Sequence, residues 1–433
     1  MKSLALIPWI LLALTVGPIR AQTLPATPQL APSGVAASTE PGSNLTVYLL
    51  TFGMGDEVWE RFGHNAIWIK DRTRGTDTTY NWGMFDFNQP GFLRRFLTGD
   101  TRYWMQGIDL DVMLRYYKQN NRSILAQELN LTPAQRLSLQ QYVQLNERPE
   151  NKFYRYDYYR DNCSTRLRDA LDHAVGGQLQ TSTVTRQTSG TYRSHTLRLL
   201  GSDIPMYTGA DVALGHPADK PLSVWQEMFL PVRMASDLRS VRLTDSTGAQ
   251  IPFVRSEMAL FTAGRAPEPS APPNYFPWFV ALGILIAAGM IALVRSAESG
   301  SRIAFFFATA ISTLWSLIAG ACGIALVIAW VFTRHYFMSR NENLLHLDPL
   351  SLALVVLIPL AVYGRRGVSR AIKLAGFVAA LSLLGFVLQG IPFFDQKNGE
   401  IIGLALPINL AVWWTVYRLS VYRRTSLPPS AAS

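Results

Sequence analysis

The pattern of apolar and polar positions changes at about residue 275 of the 433-residue chain. Before that point the apolar runs are short and are interrupted by charged residues, tyrosines and asparagines. The runs at 45–52, 66–69 and 78–83 are rich in β-branched and aromatic residues, which predicts strands. Thr132, Pro133 and Gln135 suit the N-cap, first and third positions of a helix. Residues 45–274 are therefore predicted to form a mixed α and β domain that folds in water.

Beyond residue 275, five uncharged apolar segments alternate with short polar loops. They are residues 276–294, 303–333, 349–363, 374–394 and 401–417. A membrane-spanning helix needs about 20 apolar residues, so the third segment is short and the second is long enough to tilt. Residues 275–420 are predicted to form an all-α membrane domain of about five helices, followed by a cytoplasmic tail at 421–433.

The basic residues of the loops predict which side the first domain faces. If that domain is outside, the inner loops and tail contain most of these residues: Arg295, Arg302, Arg365, Arg366, Arg370, Lys373, Arg418, Arg423 and Arg424. The outer loops contain Arg334, Arg340 and Lys397. Positive charge concentrates on the cytoplasmic side of membrane proteins, so this asymmetry favours export of the first domain.

The N-terminus agrees with export. Lys2 precedes a short apolar stretch at 4–16, and Ala21 ends a possible cleavage site, which is typical of a signal peptide over residues 1–21. A retained N-terminal anchor is the alternative. Residues 22–44, rich in proline, alanine and serine, are predicted to be a flexible spacer.

The net charge and the absence of several known motifs exclude some classes of function. The formal net charge of +10 is partly explained by the basic inner loops, so we do not interpret it as a sign of nucleic-acid binding. The sequence shows no metal-ligand cluster, no phosphate-binding glycine loop and no nucleotide fingerprint. No cofactor and no metal are predicted.

Cys163 is the cysteine of the exported half, and the other cysteine, Cys322, lies in an apolar segment. A lone thiol in an oxidising compartment is either reactive or structurally buried. Asp161 or Asn162 could cap a helix that begins near Cys163, and the positive end of such a helix favours the thiolate. Arg160 and Arg166 would add to that effect if they point inward.

A cysteine nucleophile normally needs a general base. His64 follows Gly63 and begins a strand-like run, although a single histidine in such a position is often structural. The polar loop at 335–348 falls on the same side of the membrane as Cys163 and contains His335 and His346. It is either a solvated connector or part of a site at the membrane surface.

Three segments of the soluble half resemble a known family. They are Phe-Gly-His-Asn-Ala at 62–66, Tyr-Asn-Trp-Gly-Met-Phe-Asp-Phe at 80–87, and 156–166 with Asp-Asn-Cys-Ser-Thr-Arg at its end. Their order is similar to that of circularly permuted papain-like (NlpC/P60-type) thiol enzymes. More specifically, they resemble the periplasmic domain of Lnb-type lipoprotein N-acyltransferases. The resemblance continues at 225–231 and in the loop at His335, at 341–345 and at Pro349.

The resemblance implies an α+β permuted papain-like (NlpC/P60-type) soluble domain followed by an all-α multi-span membrane domain. The membrane domain would lie in a bacterial inner membrane, with the soluble domain on its periplasmic side. Cys163 would be the nucleophile, His64 its general base and Asn81 the group that orients the base, with Tyr80 and Asp86 close by. The implied substrate-binding residues are Arg166, His335, Asn341 and Asn343. The chain would move an acyl group from a phospholipid donor to a lipoprotein acceptor. Arg340 and Glu342 make the loop more charged than the family pattern suggests.

Two alternatives stay open at this point. The first is a papain-like cysteine peptidase or amidase that acts on peptidoglycan, which would use the same Cys163–His64 pair. The second is a non-enzymatic envelope assembly protein in which Cys163 is structural.

Overall fold

The computed structural model describes residues 40–364 and 366–425. The predicted signal peptide, most of the predicted spacer, Arg365 and the end of the predicted tail lie outside the described residues. The predicted domain boundaries stay predictions, and the first membrane helix begins at Phe276.

A large antiparallel sheet forms the centre of the soluble domain. The described strands are β1 (Leu45–Phe52), β2 (His64–Asp71), β3 (Thr76–Met84), β4 (Arg102–Asp109), β5 (Ile124–Leu129), β6 (Phe153–Arg155), β7 (Gln187–Thr191), β8 (Pro221–Ser223), β9 (Arg242–Thr244), β10 (Gln250–Pro252) and β11 (Val254–Phe261). Seven of them pair in the order β11-β5-β1-β2-β3-β4-β6. The others form two small pairs, β9 with β10 and β7 with β8.

The described α-helices of this domain are α1 (Phe92–Thr98), α2 (Leu110–Gln119), α3 (Pro133–Glu147), α4 (Cys163–Ala174), α5 (Gln178–Thr183), α6 (Tyr192–Leu200), α7 (Ile204–Ala213), α8 (Val224–Glu227) and α9 (Pro231–Leu238). Of these, α3, α4 and α9 pack on one face of the sheet and α2 packs on the other. The predicted start of α3 is confirmed, because Thr132 and Gln135 form a reciprocal capping box around Pro133.

The alternation of side chains along β1 explains the two cores. Leu45, Val47 and Leu49 point to one face, where they join a cluster with buried residues of α3, α4 and α9. Leu50 and Phe52 point to the other face and pack with residues of α2. The central strands are thus buried on both faces, which holds them in a fixed register.

The membrane domain follows as a bundle of helices. They are α10 (Phe276–Glu298), α11 (Arg302–Phe332), α12 (Ser351–Val362), α13 (Val368–Leu388) and α14 (Gly399–Thr425). Among the described residues, four of these helices are long and apolar enough to cross a membrane, and α12 is a shorter apolar helix. The predicted fold class, an α and β soluble domain followed by an all-α membrane domain, is confirmed.

Candidate active site

Cys163 is the first residue of α4 and is 8% exposed. The Asn162 side chain accepts a hydrogen bond from the Thr165 backbone N–H at 2.9 Å, and the Asn162 N–H donates to Thr165 Oγ1 at 2.8 Å. The Asn162 side-chain Nδ2 donates to the carbonyls of Tyr158 and Phe229. The predicted helix start is therefore confirmed, with Asn162 as the cap.

A β-bulge in β3 makes room for the thiol. The pairing of β3 with β4 shifts register between Asn81 and Met84. Gly83 lies in this bulge with φ of +89°, and a Cβ built on it would lie 3.1 Å from Cys163 Cβ. A side chain at position 83 would strain the backbone and press on the start of α4. Gly83 therefore permits the sheet to approach Cys163 closely.

Burial decides the acidity of the thiol. It raises the pKa of Cys163 to about 11, although hydrogen bonds from the backbone N–H groups of Asn65, Ser164 and Cys163 lower it. The expectation that the helix start makes this thiol acidic is wrong. The start of α4 does favour the thiolate, but removal of the sulfur from water favours the neutral thiol more strongly.

His64 begins β2, and its imidazole is held by Asn81 of β3. Gly63, with φ of +75°, brings the chain into β2, where His64 pairs with Phe52 of β1. The His64 Nε2 lies 3.1 Å from Asn81 Oδ1, and the Asn81 Nδ2 donates to the Thr79 carbonyl at 3.0 Å. Because that carbonyl fixes the amide orientation, His64 Nε2 carries the hydrogen. The lone pair of the neutral ring is therefore on Nδ1.

His64 is half-buried, and its surroundings favour the neutral ring. Burial lowers the pKa of His64 to about 4; the Asn81 hydrogen bond raises it, and the nearby positive charge of Arg122 lowers it further. A neutral imidazole at ordinary pH is the form that can accept a proton. The histidine and the thiol are thus both uncharged at rest.

Arg122 is a buried cation that the sequence reasoning missed. It is 3% exposed, its Nε donates to the Gly53 carbonyl at 2.9 Å, and its guanidinium pairs with Glu60 at 2.9 Å. The guanidinium also lies over the Tyr117 ring, at 4.7 Å from the centroid. Its charge lowers the pKa of both His64 and Cys163. Arg122 precedes β5 as an ordinary basic residue, so no sequence signal identified it.

Several tyrosines lie close enough to the thiol to feel its charge. Burial first, and the negative charge of a Cys163 thiolate second, raise the pKa of Tyr103 to about 12. The pKa values of Tyr117, Tyr154 and Tyr156 are also raised by burial first and by the thiolate second. A partial signal was present, since Tyr154 and Tyr156 belong to the tyrosine-rich run before Cys163.

Comparison with known families agrees with this arrangement. Residues 37–202 match the model of the Lnb N-terminal periplasmic domain, and residues 272–397 match the model of the Lnb transmembrane domain. Together the two matches cover more than half of the chain. The chain belongs to the Lnb family. It is therefore a membrane-anchored protein with a periplasmic part. Neither a curated protein nor a solved structure matches it.

Two arginines of the cysteine segment have partners other than the thiol. Arg166 binds the Asp161 carboxylate in a two-pronged ion pair and lies over the Tyr154 ring at 4.3 Å. Arg160 lies over the ring of Tyr336 at 3.8 Å. The cation that acts on Cys163 is Arg122 instead. Substrate binding by Arg166 stays a prediction of the Lnb resemblance.

The α11–α12 loop, residues 333–350, contacts the soluble domain next to the site. His335 Nε2 lies 3.0 Å from the Phe96 carbonyl at the end of α1. Phe337 packs on Tyr159 and Tyr192, with ring centroids 4.7 Å apart in both pairs. Tyr159 is four residues before Cys163, so this loop adjoins the segment that leads to the thiol.

Asn341 and Asn343 of the same loop join the two halves of this Lnb-family chain. The Asn341 amide donates to the carbonyls of Val212 and Ala213, and the Asn343 amide to those of Asp211 and Val212. Asn343 Oδ1 accepts from Asn398 at 2.9 Å. These contacts assign both residues to the junction of the halves, and their role in substrate binding stays a prediction. Among the described residues, no group of three His, Cys, Asp or Glu could hold a metal ion.

Proposed function

We propose that the chain is a lipoprotein N-acyltransferase. It moves an acyl chain from a membrane phospholipid, through a thioester on Cys163, to the N-terminal amine of a diacylglyceryl-cysteine lipoprotein. Membership of the Lnb family supports the class of reaction. Cys163, His64 and Asn81 are the residues that we propose to carry it out, on the periplasmic side of the bacterial inner membrane.

One observation carries the proposal. The Cys163 sulfur is buried among backbone N–H groups, one of which belongs to the residue that follows His64, and the His64 ring is held by Asn81 with its lone pair on Nδ1. A thiol, a neutral base and amide donors are the groups that acyl transfer requires. The attached membrane helices argue for a lipid ester rather than a peptide bond as the electrophile.

The first half-reaction forms the thioester. His64 Nδ1 takes the Cys163 proton as the sulfur attacks the ester carbonyl carbon, and the carbonyl oxygen becomes an oxyanion. The N–H groups of Asn65 and Ser164 are suitable donors to it. The carbon–oxygen bond of the ester then breaks, and His64 returns the proton to the leaving lysophospholipid oxygen.

The second half-reaction transfers the acyl chain. The neutral amine of the lipoprotein attacks the thioester carbonyl, and His64 Nδ1 takes a proton from the nitrogen. The carbon–sulfur bond breaks as the amide forms, and the proton returns to the Cys163 sulfur. The site is thereby restored to its uncharged resting state, which agrees with the raised pKa of the thiol and the lowered pKa of the imidazole.

The test is mass spectrometry of a reporter lipoprotein from a host that lacks its own N-acyltransferase. We expect the wild-type chain to give an acylated N-terminus and Cys163→Ser to leave a free amine, with a loss of at least about 10³-fold. Cys322→Ser is the matched control, because it removes the membrane cysteine and should leave acylation unchanged. In purified wild-type protein without a lipoprotein acceptor, the acyl group should stay on Cys163 as a thioester, and neutral hydroxylamine should release it.

The outcomes separate the three functions. Acylation that survives Cys163→Ser would refute the thiol mechanism. A free amine with the wild-type chain, together with altered muropeptides, would identify the peptidoglycan peptidase or amidase instead. A free amine with unchanged muropeptides would favour the non-enzymatic assembly protein.

A further inference from the structure

An exposed group of large apolar side chains lies on the soluble domain around α1. We call it the α1 patch and define it as Trp59, Phe87, Leu93, Phe96 and Leu97, which are between 40% and 68% exposed. Soluble surfaces rarely present such side chains together unless a partner covers them. The patch therefore needs an occupant.

The rings of the α1 patch are packed against one another. Trp59 contacts Phe87 with ring centroids 5.2 Å apart, and Phe87 contacts Phe92 at the same distance. Phe92 in turn stacks near Phe96 at 6.2 Å. The group is thus a preformed aromatic surface, so a partner can cover it without first ordering these side chains.

The α1 patch is attached to the end of a membrane helix. The Thr98 carbonyl, at the end of α1, accepts a hydrogen bond from the Arg334 N–H at 2.9 Å. His335 Nε2 bonds the Phe96 carbonyl at 3.0 Å. Helix α11 ends at Phe332, two residues before Arg334, and Phe332 is itself 73% exposed. The patch consequently lies at the level where α11 leaves the apolar part of the membrane.

The charges near the α1 patch suit lipid headgroups. Arg94 is exposed on α1 between the apolar residues of the patch, and Arg95 follows it. Arg334 is exposed beside the end of α1, where its guanidinium pairs with the exposed Asp100 at 3.2 Å. Anionic headgroups attract basic side chains at the membrane surface, and aromatic side chains concentrate at the same depth. Aromatic rings flanked by arginines next to a membrane helix therefore match a lipid leaflet better than a soluble protein.

We propose that the α1 patch is immersed in the lipid leaflet on the side of the soluble domain, with phospholipid acyl chains as its partner. Helix α1 then lies in the plane of the interface as a second membrane attachment of the soluble domain. This attachment places the domain at a fixed depth. It does not depend on the chemistry of Cys163.

A continuous row of rings runs from the α1 patch toward the thiol. Phe87 contacts Phe85 at 4.9 Å, Phe85 contacts Tyr103 at 5.1 Å, and Tyr103 stacks on Tyr156 at 4.1 Å. The charge of a Cys163 thiolate raises the pKa of both Tyr103 and Tyr156, so the row ends near the sulfur. If the proposed function holds, this row would guide an acyl chain of the leaflet toward the sulfur.

The test uses spin labels on the full chain in vesicles of phosphatidylethanolamine and phosphatidylglycerol. With Cys163→Ser and Cys322→Ser as background, a label is attached after Leu97→Cys or, separately, Leu93→Cys. The relaxation of each label by oxygen, which enters lipid, is compared with that by a water-soluble nickel complex. Val331→Cys on α11 is the lipid reference, and Leu145→Cys on α3, which is 47% exposed, is the matched apolar control.

We expect labels at 97 and 93 to behave like the label at 331, with oxygen several-fold more effective than nickel. Stronger relaxation by nickel at both positions would overturn the proposal. Dipolar broadening between labels would overturn it as well, because it would identify a second copy as the occupant. If one of the two labelled variants is misfolded, as judged by its elution in size-exclusion chromatography, the label at the other position tests the proposal. Since Cys163 is absent throughout, the result is independent of the acyl-transfer mechanism.

Discussion

At the scale of single residues, the proposed site keeps both reacting groups uncharged until a substrate arrives. The pKa of Cys163 is raised to about 11 by burial, and that of His64 is lowered to about 4 by burial and by Arg122. Proton transfer from the thiol to the imidazole is therefore unfavourable at rest. The thiolate would form only as the acyl carbonyl is attacked, which limits side reactions of an exported thiol in an oxidising compartment.

The first prediction follows from these two pKa values. The rate of thioester formation from a phospholipid should be independent of pH between about 4 and about 11 and should fall below about 4, as His64 takes a proton. Arg122→Met combined with Glu60→Gln removes a buried cation and its partner together. Because Arg122 disfavours the protonated ring, this double change should move the acid limb to higher pH.

Single-turnover measurements of the acylated protein over a pH series would check both expectations. Glu60→Gln alone is the control: it removes the partner but keeps the cation, so the acid limb should not move to higher pH. A wild-type acid limb near the ordinary histidine pKa of about 6.5 would contradict the buried neutral base.

At the scale of elements, the start of α4 places the thiol. Asn162 caps the helix and also donates to the Tyr158 and Phe229 carbonyls, so one side chain joins three segments beside Cys163. We expect Asn162→Ala to lower stability by about 1–2 kcal/mol, because it removes a cap. We also expect acylation of the reporter to fall, since Cys163 loses its fixed position relative to His64.

Thr132→Ala is the matched control for this second prediction. Thr132 caps α3 with the same reciprocal arrangement. It should lower the apparent midpoint of thermal unfolding by a comparable amount and leave reporter acylation nearly unchanged. Equal losses of acylation in the two variants, at equal expression, would mean that the Asn162 effect is one of stability alone.

These two caps also show which parts of the molecule the sequence predicts. Thr132-Pro133 and Asn162-Cys163 are local signals, and the structure confirms both helix starts. The bulge at Gly83 and the approach of Arg122 depend on strand pairing between distant segments, which no local pattern encodes. The acidity of Cys163 was mispredicted for the same reason, because the helix start is local and the burial is not.

At the scale of the whole molecule, the α11–α12 loop of the membrane domain packs against the soluble domain and joins the two. The last turn of a helix leaves carbonyls without partners, and at the end of α7 the amides of Asn341 and Asn343 supply the donors. The same loop packs Phe337 on both Tyr159 and Tyr192, which also contact each other. Movement of this loop would therefore reach the segment that precedes Cys163.

The third prediction concerns this junction. Asn343→Ala takes one of two donors from the Asp211 and Val212 carbonyls, which keep Arg193 and Asn341. It also removes the Asn343 oxygen that accepts from the buried Asn398 amide, and the loss of these bonds should cost about 1–3 kcal/mol. We expect faster amide hydrogen exchange in α7 and in the segment before Cys163. Asn120→Ala, which removes an exposed side-chain bond to the Tyr116 carbonyl in α2, is the control and should leave both regions unchanged. Unchanged exchange in α7 after Asn343→Ala would mean that the loop does not hold the two domains together, and the coupling argued above would fail.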